Sequence, residues 1–214
     1  MRISPSKSSF SDDDRGVAPL IGFIILFGFL IVALAGYQAQ VVPQQNSEIE
    51  FQHFQDVRDD MLEVRSSIST AGQADVSQYP TVKLGTNYPP RIFTVNPPPP
   101  AGTLQTSQAY NITINNQSGD GPETVSTRFL EYQNGYNEID IGPVWYEHSV
   151  IYIDERESGG GIAIYEDQNI VTGNETARVT ALQNDFRVSS AGRVTLDLYP
   201  TENARINSSG LKGE

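Results

Sequence analysis

Cysteine is absent from this chain of 214 residues, which excludes disulfide bonds, thiol catalysis and cysteine-based zinc sites. Basic residues are also scarce: 14 Lys and Arg stand against 26 Asp and Glu, for a formal net charge of -12. Nucleic-acid binding needs a basic surface, so nucleic acid is not an expected partner. Lysine occurs only at Lys7, Lys83 and Lys212, and this preference for Arg in an acidic chain is typical of proteins from high-salt environments.

The residue types that build catalytic and metal sites are sparse as well. The two histidines, His53 and His148, lie far apart in the sequence, which does not favour a histidine-based metal site. The triple glycine at 159–161 lacks the Lys and the Ser or Thr of a phosphate-binding loop. The acidic run at 154–157 lacks the ligand spacing of a calcium loop, and Trp145 is assigned to the core. We therefore predict no enzyme activity, no metal and no cofactor.

The apolar segment 17–36 is the strongest feature of the sequence. No charged residue occurs from Gly16 through Ser47. About 20 apolar residues span a bilayer as a helix, because only a helix satisfies its own backbone groups in lipid. Three basic residues precede the segment and the next one is Arg58, so the distribution of basic residues places the start of the chain in the cytoplasm. The sequence predicts one membrane crossing, with everything after Tyr37 outside.

Two candidate cleavage sites lie at the two ends of this segment. The first is Arg15-Gly16 followed by Val17-Ala18, a basic and a small residue directly before the apolar helix. Cleavage there leaves the helix on the protein. The second is the Ala-Leu-Ala sequence that ends at Ala35, the small-x-small pattern of an ordinary secretory signal. Cleavage there removes the helix and releases a soluble secreted protein.

The first of these sites resembles a known signal. Arg15 to Ala18, followed by Pro19-Leu20-Ile21-Gly22, resembles the class III signal of archaeal, and in particular haloarchaeal, type IV pilins and pilin-like proteins. The resemblance implies that a prepilin peptidase removes residues 1–16 by cutting between Gly16 and Val17. It also implies that the apolar helix is retained and packs with other pilin subunits in a filament core. The residues implicated in this self-assembly are Pro19, Leu20, Ile21, Gly22, Phe23, Ile24 and Phe27.

A second helical pattern follows Pro43. Apolar residues recur there at steps of three and four, with charged residues on the other faces, as in an amphipathic helix. The apolar stripe consists of Phe51, Phe54, Val57, Met61, Val64 and Ile68. Ser47 and Glu50 have the spacing of a capping box, which suits a helix restart after Pro43. Gly72 is the expected stop.

Beyond Gly72 the pattern changes to a period of two, with β-branched and aromatic runs bounded by Gly, Asn, Asp and Pro. The predicted strands are 81–84, 91–95, 109–114, 125–132, 136–141, 144–153, 161–165, 169–171, 177–181 and 193–198. The dipeptides at 134–135 and 167–168 have the character of hairpin turns. The four prolines at 97–100 indicate a rigid polyproline connection. Short strands at this spacing predict an antiparallel sandwich.

The predicted fold class is α+β: a long N-terminal helical stem, first apolar and then amphipathic, followed by an antiparallel β-sandwich head. Its parts are a leader (1–16), a transmembrane or filament-core helix (17–43), an amphipathic stem helix (44–72) and an extracellular β-rich head (73–214). The stem helix is expected to pack either on its own head or against other copies of the chain.

Glycosylation signals agree with an exported head. Sequons for N-glycosylation begin at Asn111, Asn116, Asn174 and Asn207, and glycans there would lie on an exposed surface. The sequence thus favours a pilin-like structural subunit, single-pass in the cell membrane, with the membrane, a prepilin peptidase and other pilin subunits as partners. The alternatives are a membrane-anchored surface protein that does not polymerise and a secreted binding protein cut at Ala35.

Overall fold

A computed structural model describes residues 17–114, 123–172, 176–177 and 179–201. The first of these residues form one long helix in three consecutive parts: α1 (Val17–Gly36), a π-helical segment (Tyr37–Val41) and α2 (Val42–Ala74). The strands that follow are β1 (Thr81–Lys83), β2 (Gly102–Thr106), β3 (Tyr110–Ile114), β4 (Glu123–Thr127), β5 (Leu130–Gln133), β6 (Val144–Glu147), β7 (Val150–Asp154), β8 (Ile162–Glu166), β9 (Val171–Thr172), β10 (Thr176–Ala177), β11 (Arg187–Ser190) and β12 (Arg193–Thr195).

Six strands form one antiparallel sheet in the order β11-β2-β5-β6-β7-β8. Leu104 of β2 lies opposite Tyr132 of β5, and Tyr146 of β6 lies opposite Leu130 and Ile151. Because side chains alternate between the two faces of a strand, these five lie on one face of the sheet. The other described strands form the antiparallel pairs β1-β12, β3-β4 and β9-β10.

The core lies between this face of the large sheet and helix α2. The core residues are Phe54, Val57, Met61, Val64 and Ile68 of α2, Leu104, Leu130, Tyr132, Val144, Tyr146, Ile151 and Ile153 of the large sheet, and Val82, Leu84 and Leu196 near the β1-β12 pair. The predicted apolar stripe is therefore confirmed, except at Phe51, which is 52% exposed. Removing these side chains from water is the main force that holds the helix on its own head.

The predicted fold class is confirmed, because a long helical stem precedes a head of antiparallel sheets. The stem is continuous, however, so the predicted restart after Pro43 is wrong. Pro43 lies in the first turn of α2, directly after the π-helical segment, where the Val42 N–H donates to the Tyr37 carbonyl. A proline ring disrupts the ordinary bond to the residue four positions back. The wider bonding pattern of the π-helical segment accommodates it without breaking the helix.

Two further helix signals have other roles in the structure. The hydroxyl of Ser47 donates to a carbonyl one turn back in the helix, and Glu50 contacts the head, so the capping box is wrong. The helix passes Gly72 and ends at Ala74, where Asp75 takes the left-handed conformation with φ of 56°. A single residue in this conformation ends many helices, and Asp tolerates it better than most residues.

The errors among the predicted strands have identifiable reasons. Segment 91–95 is an exposed loop with bends, and segment 136–141 is a loop whose N–H groups bind a side chain of the stem.

The predicted strand 125–132 is two strands, β4 and β5, that belong to different sheets, and 144–153 is the hairpin β6-β7. Strands β2 and β11 were not predicted, because their outward residues are mostly Thr, Gln and Ser and their apolar alternation is weak.

The turn of the β6-β7 hairpin is His148-Ser149, and neither predicted dipeptide forms a hairpin turn. His148 and Ser149 have φ of 44° and 70°, the left-handed pair that suits the twist of a two-residue hairpin. Residues 134–135 lie in the long connection between β5 and β6, and 167–168 connect β8 to β9, which lie in different sheets.

Candidate functional site

Helix α1 presents apolar side chains on all its sides. Every side chain from Ala18 to Ala35 is exposed except that of Leu34, which is half-buried. Within the described residues this is the one helix long and apolar enough to cross a membrane. At 1.5 Å per residue, its 20 residues extend about 30 Å, the thickness of the hydrocarbon core of a bilayer. An apolar surface of this size needs a cover of lipid or protein.

The residues predicted for self-assembly all lie on α1 and are exposed. They are Pro19, Leu20, Ile21, Gly22, Phe23, Ile24 and Phe27. Successive residues of a helix are about 100° apart, so this set surrounds the helix axis. Phe23 and Phe27, one turn apart, have stacked rings with centroids 6.3 Å apart. The candidate assembly surface is thus the whole circumference of the helix and not one stripe.

The predicted modification residues are described only in part. Five of them lie outside the described residues: Arg15, Gly16, Asn116, Asn174 and Asn207. Val17 and Ala18 begin α1. Asn111 lies in β3 opposite Ser126 of β4, and its side chain is exposed, so a glycan there would extend into solvent.

A buried carboxylate attaches the stem to the head. The side chain of Glu50 in α2 is fully buried. Its Oε1 accepts a hydrogen bond from the N–H of Asn137 at 2.8 Å, and its Oε2 accepts from the N–H groups of Glu138 and Ile139 at 2.9 and 3.0 Å. The hydroxyl of Tyr88 also donates to Oε1. A carboxylate in such a site is tolerated only when its oxygens accept hydrogen bonds. We call Glu50, Tyr88 and residues 137–139 the carboxylate clamp.

The carboxylate clamp explains why segment 136–141 is a loop. Its N–H groups at 137–139 turn towards one side chain of the stem, so they are not available to a neighbouring strand. Asn137 also donates through its side chain to the Tyr88 hydroxyl at 2.9 Å, which links the two loops of the clamp. Sequence reasoning placed Glu50 on the solvent face of the helix. No local signal distinguishes it from Glu48, since its partners lie 38 to 89 residues away.

A buried histidine lies one turn after the clamp. His53 is 1% exposed, although the sequence places it on the charged side of the stem. Its Nδ1 lies 2.7 Å from the hydroxyl of Tyr136. Burial is the main cause that lowers the pKa of His53 from its ordinary value of 6.5, and the charge of Lys83 lowers it further. Burial also raises the pKa of the Tyr136 hydroxyl, so the pair is neutral near pH 7.

Lowering the pH is expected to destabilise the folded chain through its histidines. Burial lowers the pKa of His148 as well as that of His53, so the unfolded state takes up protons more readily than the folded state. The free energy of unfolding is therefore highest above the ordinary pKa of 6.5 and decreases as the pH falls from there towards the lowered pKa values. Denaturant unfolding between about pH 7.5 and 5.5 measures this slope, since carboxylates titrate mainly below that range.

The double variant His53→Gln/His148→Gln is the control for this slope. It is expected to be less stable at neutral pH but nearly independent of pH over the same range. A slope equal to that of the unmodified chain would contradict the assignment to these two histidines.

Charged side chains of the stem contact the head at its rim. Arg65 donates to the carbonyl of Ser149 at 2.5 Å and pairs with Glu166 at 3.4 Å. Lys83 pairs with Asp56 at 3.1 Å. Because these ion pairs are partly exposed, each contributes at most about 1 kcal/mol. They orient the helix, whereas the apolar core and the carboxylate clamp hold it.

Aromatic side chains cover part of the outer face of the large sheet. Trp145 is half-buried there, stacked on Tyr152 with centroids 6.5 Å apart, so its assignment to the core is wrong. Tyr110 of β3 contacts Phe129 and hydrogen-bonds to Nε2 of His148. These contacts attach the β3-β4 pair to the outer face of the sheet, which is a structural role.

The chain is thus an α+β protein with one helix able to span a membrane and a β head attached to its continuation. An uncharacterized protein of Archaeoglobus fulgidus is 28% identical to it over 85 residues, which are 40% of this chain. The chain spans 15% of the length of that protein. No protein family matches the chain, and no solved structure matches it.

Proposed function

We propose that this chain is an exported, type IV pilin-like structural subunit that inserts into the membrane through α1 and then assembles into a surface filament through the same helix. The observation that carries the proposal is the exposure of α1 around its whole circumference, in a helix continuous with α2. Lipid covers this surface first, and other subunits cover it after assembly, since both remove it from water. The junction at 15–18 supplies the processing signal.

The proposed role is structural, without catalysis, metal or cofactor. The head lies outside the cell, where the acidic balance of the chain keeps it solvated. The partners are the membrane, a prepilin peptidase and other pilin subunits, with glycans at the sequons as a further hypothesis. The rigid attachment of α2 to the head supports this role, because the position of α1 then determines the position of the head.

A second candidate is a single-pass surface protein that does not polymerise. It is favoured by the burial of the α2 stripe, Phe54 to Ile68, against its own head. Because the head already covers this stripe, the second half of the stem offers little apolar surface to other copies, and α1 is the main apolar surface left for such contacts. In this case the topology is the same, and the detergent-extracted chain is monodisperse. A third candidate, a secreted binding protein cut at Ala35, requires cleavage within the continuous helix.

The processing step is tested by the mature N-terminus of protein recovered from the envelopes of a halophilic archaeal host. Mass spectrometry is expected to find a start at Val17. The variant Gly16→Val is expected to retain residues 1–16, because it removes the small residue by which the junction resembles a class III signal. It is also expected to be absent from sheared filaments in electron micrographs. The matched variant Gly22→Val, where an added Cβ meets no atom within 4 Å, is expected to be processed normally. A start at Gly36 contradicts the proposal, and normal processing without filaments favours the second candidate.

A further inference from the structure

The most exposed large apolar side chains of the described residues lie outside α1. Ile92, Phe93 and Val95 are 91%, 79% and 77% exposed, whereas the highest value in α1 is 74% at Phe29. All three belong to residues 89–96, here called the apolar loop. Apolar side chains grouped in this way mark a surface that contacts lipid or protein.

The apolar loop is held in place by polar contacts to the stem. The side-chain amide of Gln38 bonds both the N–H and the carbonyl of Val95, at 3.0 and 2.8 Å. Arg91 donates to Gln45 and Asn46 of α2 at 2.6 and 3.1 Å, and its third bond goes to Asn96 within the loop. The loop is thus fixed at two points along the helix, with its apolar side chains left free.

The first of these two points lies at the height of a membrane surface, and the second lies close above it. Gln38 is two residues beyond the last residue of α1, Gly36, and Gln45 is nine residues beyond it. At 1.5 Å per residue these positions are about 3 Å and about 14 Å past the end of the apolar helix. When α1 fills the hydrocarbon core of about 30 Å, the first position lies within the headgroup region, which is about 5–8 Å thick on each side, and the second lies a few ångströms outside it.

The charge distribution agrees with this placement. Residues 37–47 carry no charge, and Arg91 is the one charged residue in segment 89–100, although the net charge of the chain is -12. The acidic residues that would repel anionic headgroups are therefore missing from these two segments. The guanidinium of Arg91 uses three of its five N–H groups on neutral oxygens, which leaves donors for lipid phosphate.

We propose that the apolar loop is a membrane-contact site, with Ile92, Phe93 and Val95 inserted into the lipid interface on the side of the head. The proposal rests on the insertion of α1 under the proposed function. Side chains of this kind bury a few ångströms into the boundary between headgroups and acyl chains. A loop held to Gln38 and inserted in this way sets the height and tilt of the stem before assembly.

Trp145 is the one tryptophan of the chain, so fluorescence can report on single positions. The full chain carrying Trp145→Phe is combined with Phe93→Trp and placed in phosphatidylcholine and phosphatidylglycerol vesicles that contain lipids with a quencher near the headgroup. The reporter at 93 is expected to emit at shorter wavelength and to be quenched roughly twofold or more. Ile164→Trp in the same background is the matched control, because Ile164 is 61% exposed on β8 and is expected to remain unquenched.

A third reporter, Phe27→Trp, separates the two proposals. Quenching of this reporter by deeply placed quenchers shows that α1 is in the bilayer. If it is quenched while position 93 behaves like position 164, the membrane-contact site is wrong and the proposed function stands. A wavelength shift at 93 that depends on protein density and not on lipid quencher also overturns the site, since a second copy then covers the loop. No quenching at 27 refutes both.

Discussion

Replacing Glu50 by alanine is expected to lower the free energy of unfolding by about 3–5 kcal/mol. The substitution removes the acceptor of four hydrogen bonds and leaves three backbone N–H groups and the Tyr88 hydroxyl without it. Buried donors in this state each cost about 1–3 kcal/mol, and rearrangement of the loop at 137–139 recovers part of the sum. The head and stem are therefore expected to separate more readily in this variant.

Denaturant unfolding of the detergent-solubilised full chain, followed by Trp145 fluorescence, measures this loss. Glu50→Gln keeps one acceptor oxygen but places a donor amide against N–H groups, so an intermediate loss is expected. The matched control is Glu48→Ala, on an exposed position of the same helix, with a change within about 0.5 kcal/mol. A loss below about 1 kcal/mol for Glu50→Ala would show that the clamp does not hold the stem.

Met61→Ala is expected to destabilise the chain by about 2–5 kcal/mol. Met61 is fully buried in the middle of the α2 stripe, and it belongs to the same core as Tyr132 and Ile151 of the large sheet. Truncation removes apolar contacts from both elements and leaves a cavity, because the surrounding residues collapse only in part.

The same unfolding measurement compares this variant with two controls. Met61→Leu nearly conserves the volume and is expected to cost less than about 1.5 kcal/mol. Glu63→Ala changes an exposed residue two positions away and is expected to remain within about 0.5 kcal/mol. Equal losses for the alanine and leucine variants would contradict close packing between the helix and the sheet at this position.

Helix and strand content followed largely from local patterns. The steps of three and four from Phe54 to Ile68 predicted the buried face of α2, because a helix brings such residues to one side. Alternation predicted strands such as β1, β3 and β8 within one or two residues. Phe51 was wrong because the buried face of the helix continues from Phe54 through Glu50 and Asn46, which leaves Phe51 turned to solvent. Segment 91–95 was wrong because its apolar residues bind no neighbouring strand.

The polar residues that attach the stem were not predictable in this way. Glu50 and His53 have the local surroundings of solvent-exposed residues, and only the approach of Asn137 and Tyr136, more than 80 residues away, explains their burial. Pro43 was expected to divide the stem into two helical parts, but the effect of a proline depends on the hydrogen bonding of the preceding turn, which a single sequence does not reveal.

By itself the sequence determined that the chain has one helix able to span a membrane, an amphipathic continuation and a β-rich head without disulfides. These properties depend on composition and on periodicity within a few residues, which act wherever the segment lies. The tertiary structure alone decided that Glu50 is a buried acceptor and that Val95 of the apolar loop lies against Gln38, just past the end of α1. Such outcomes depend on contacts between distant segments, and a contact of this kind exists only once the chain has folded.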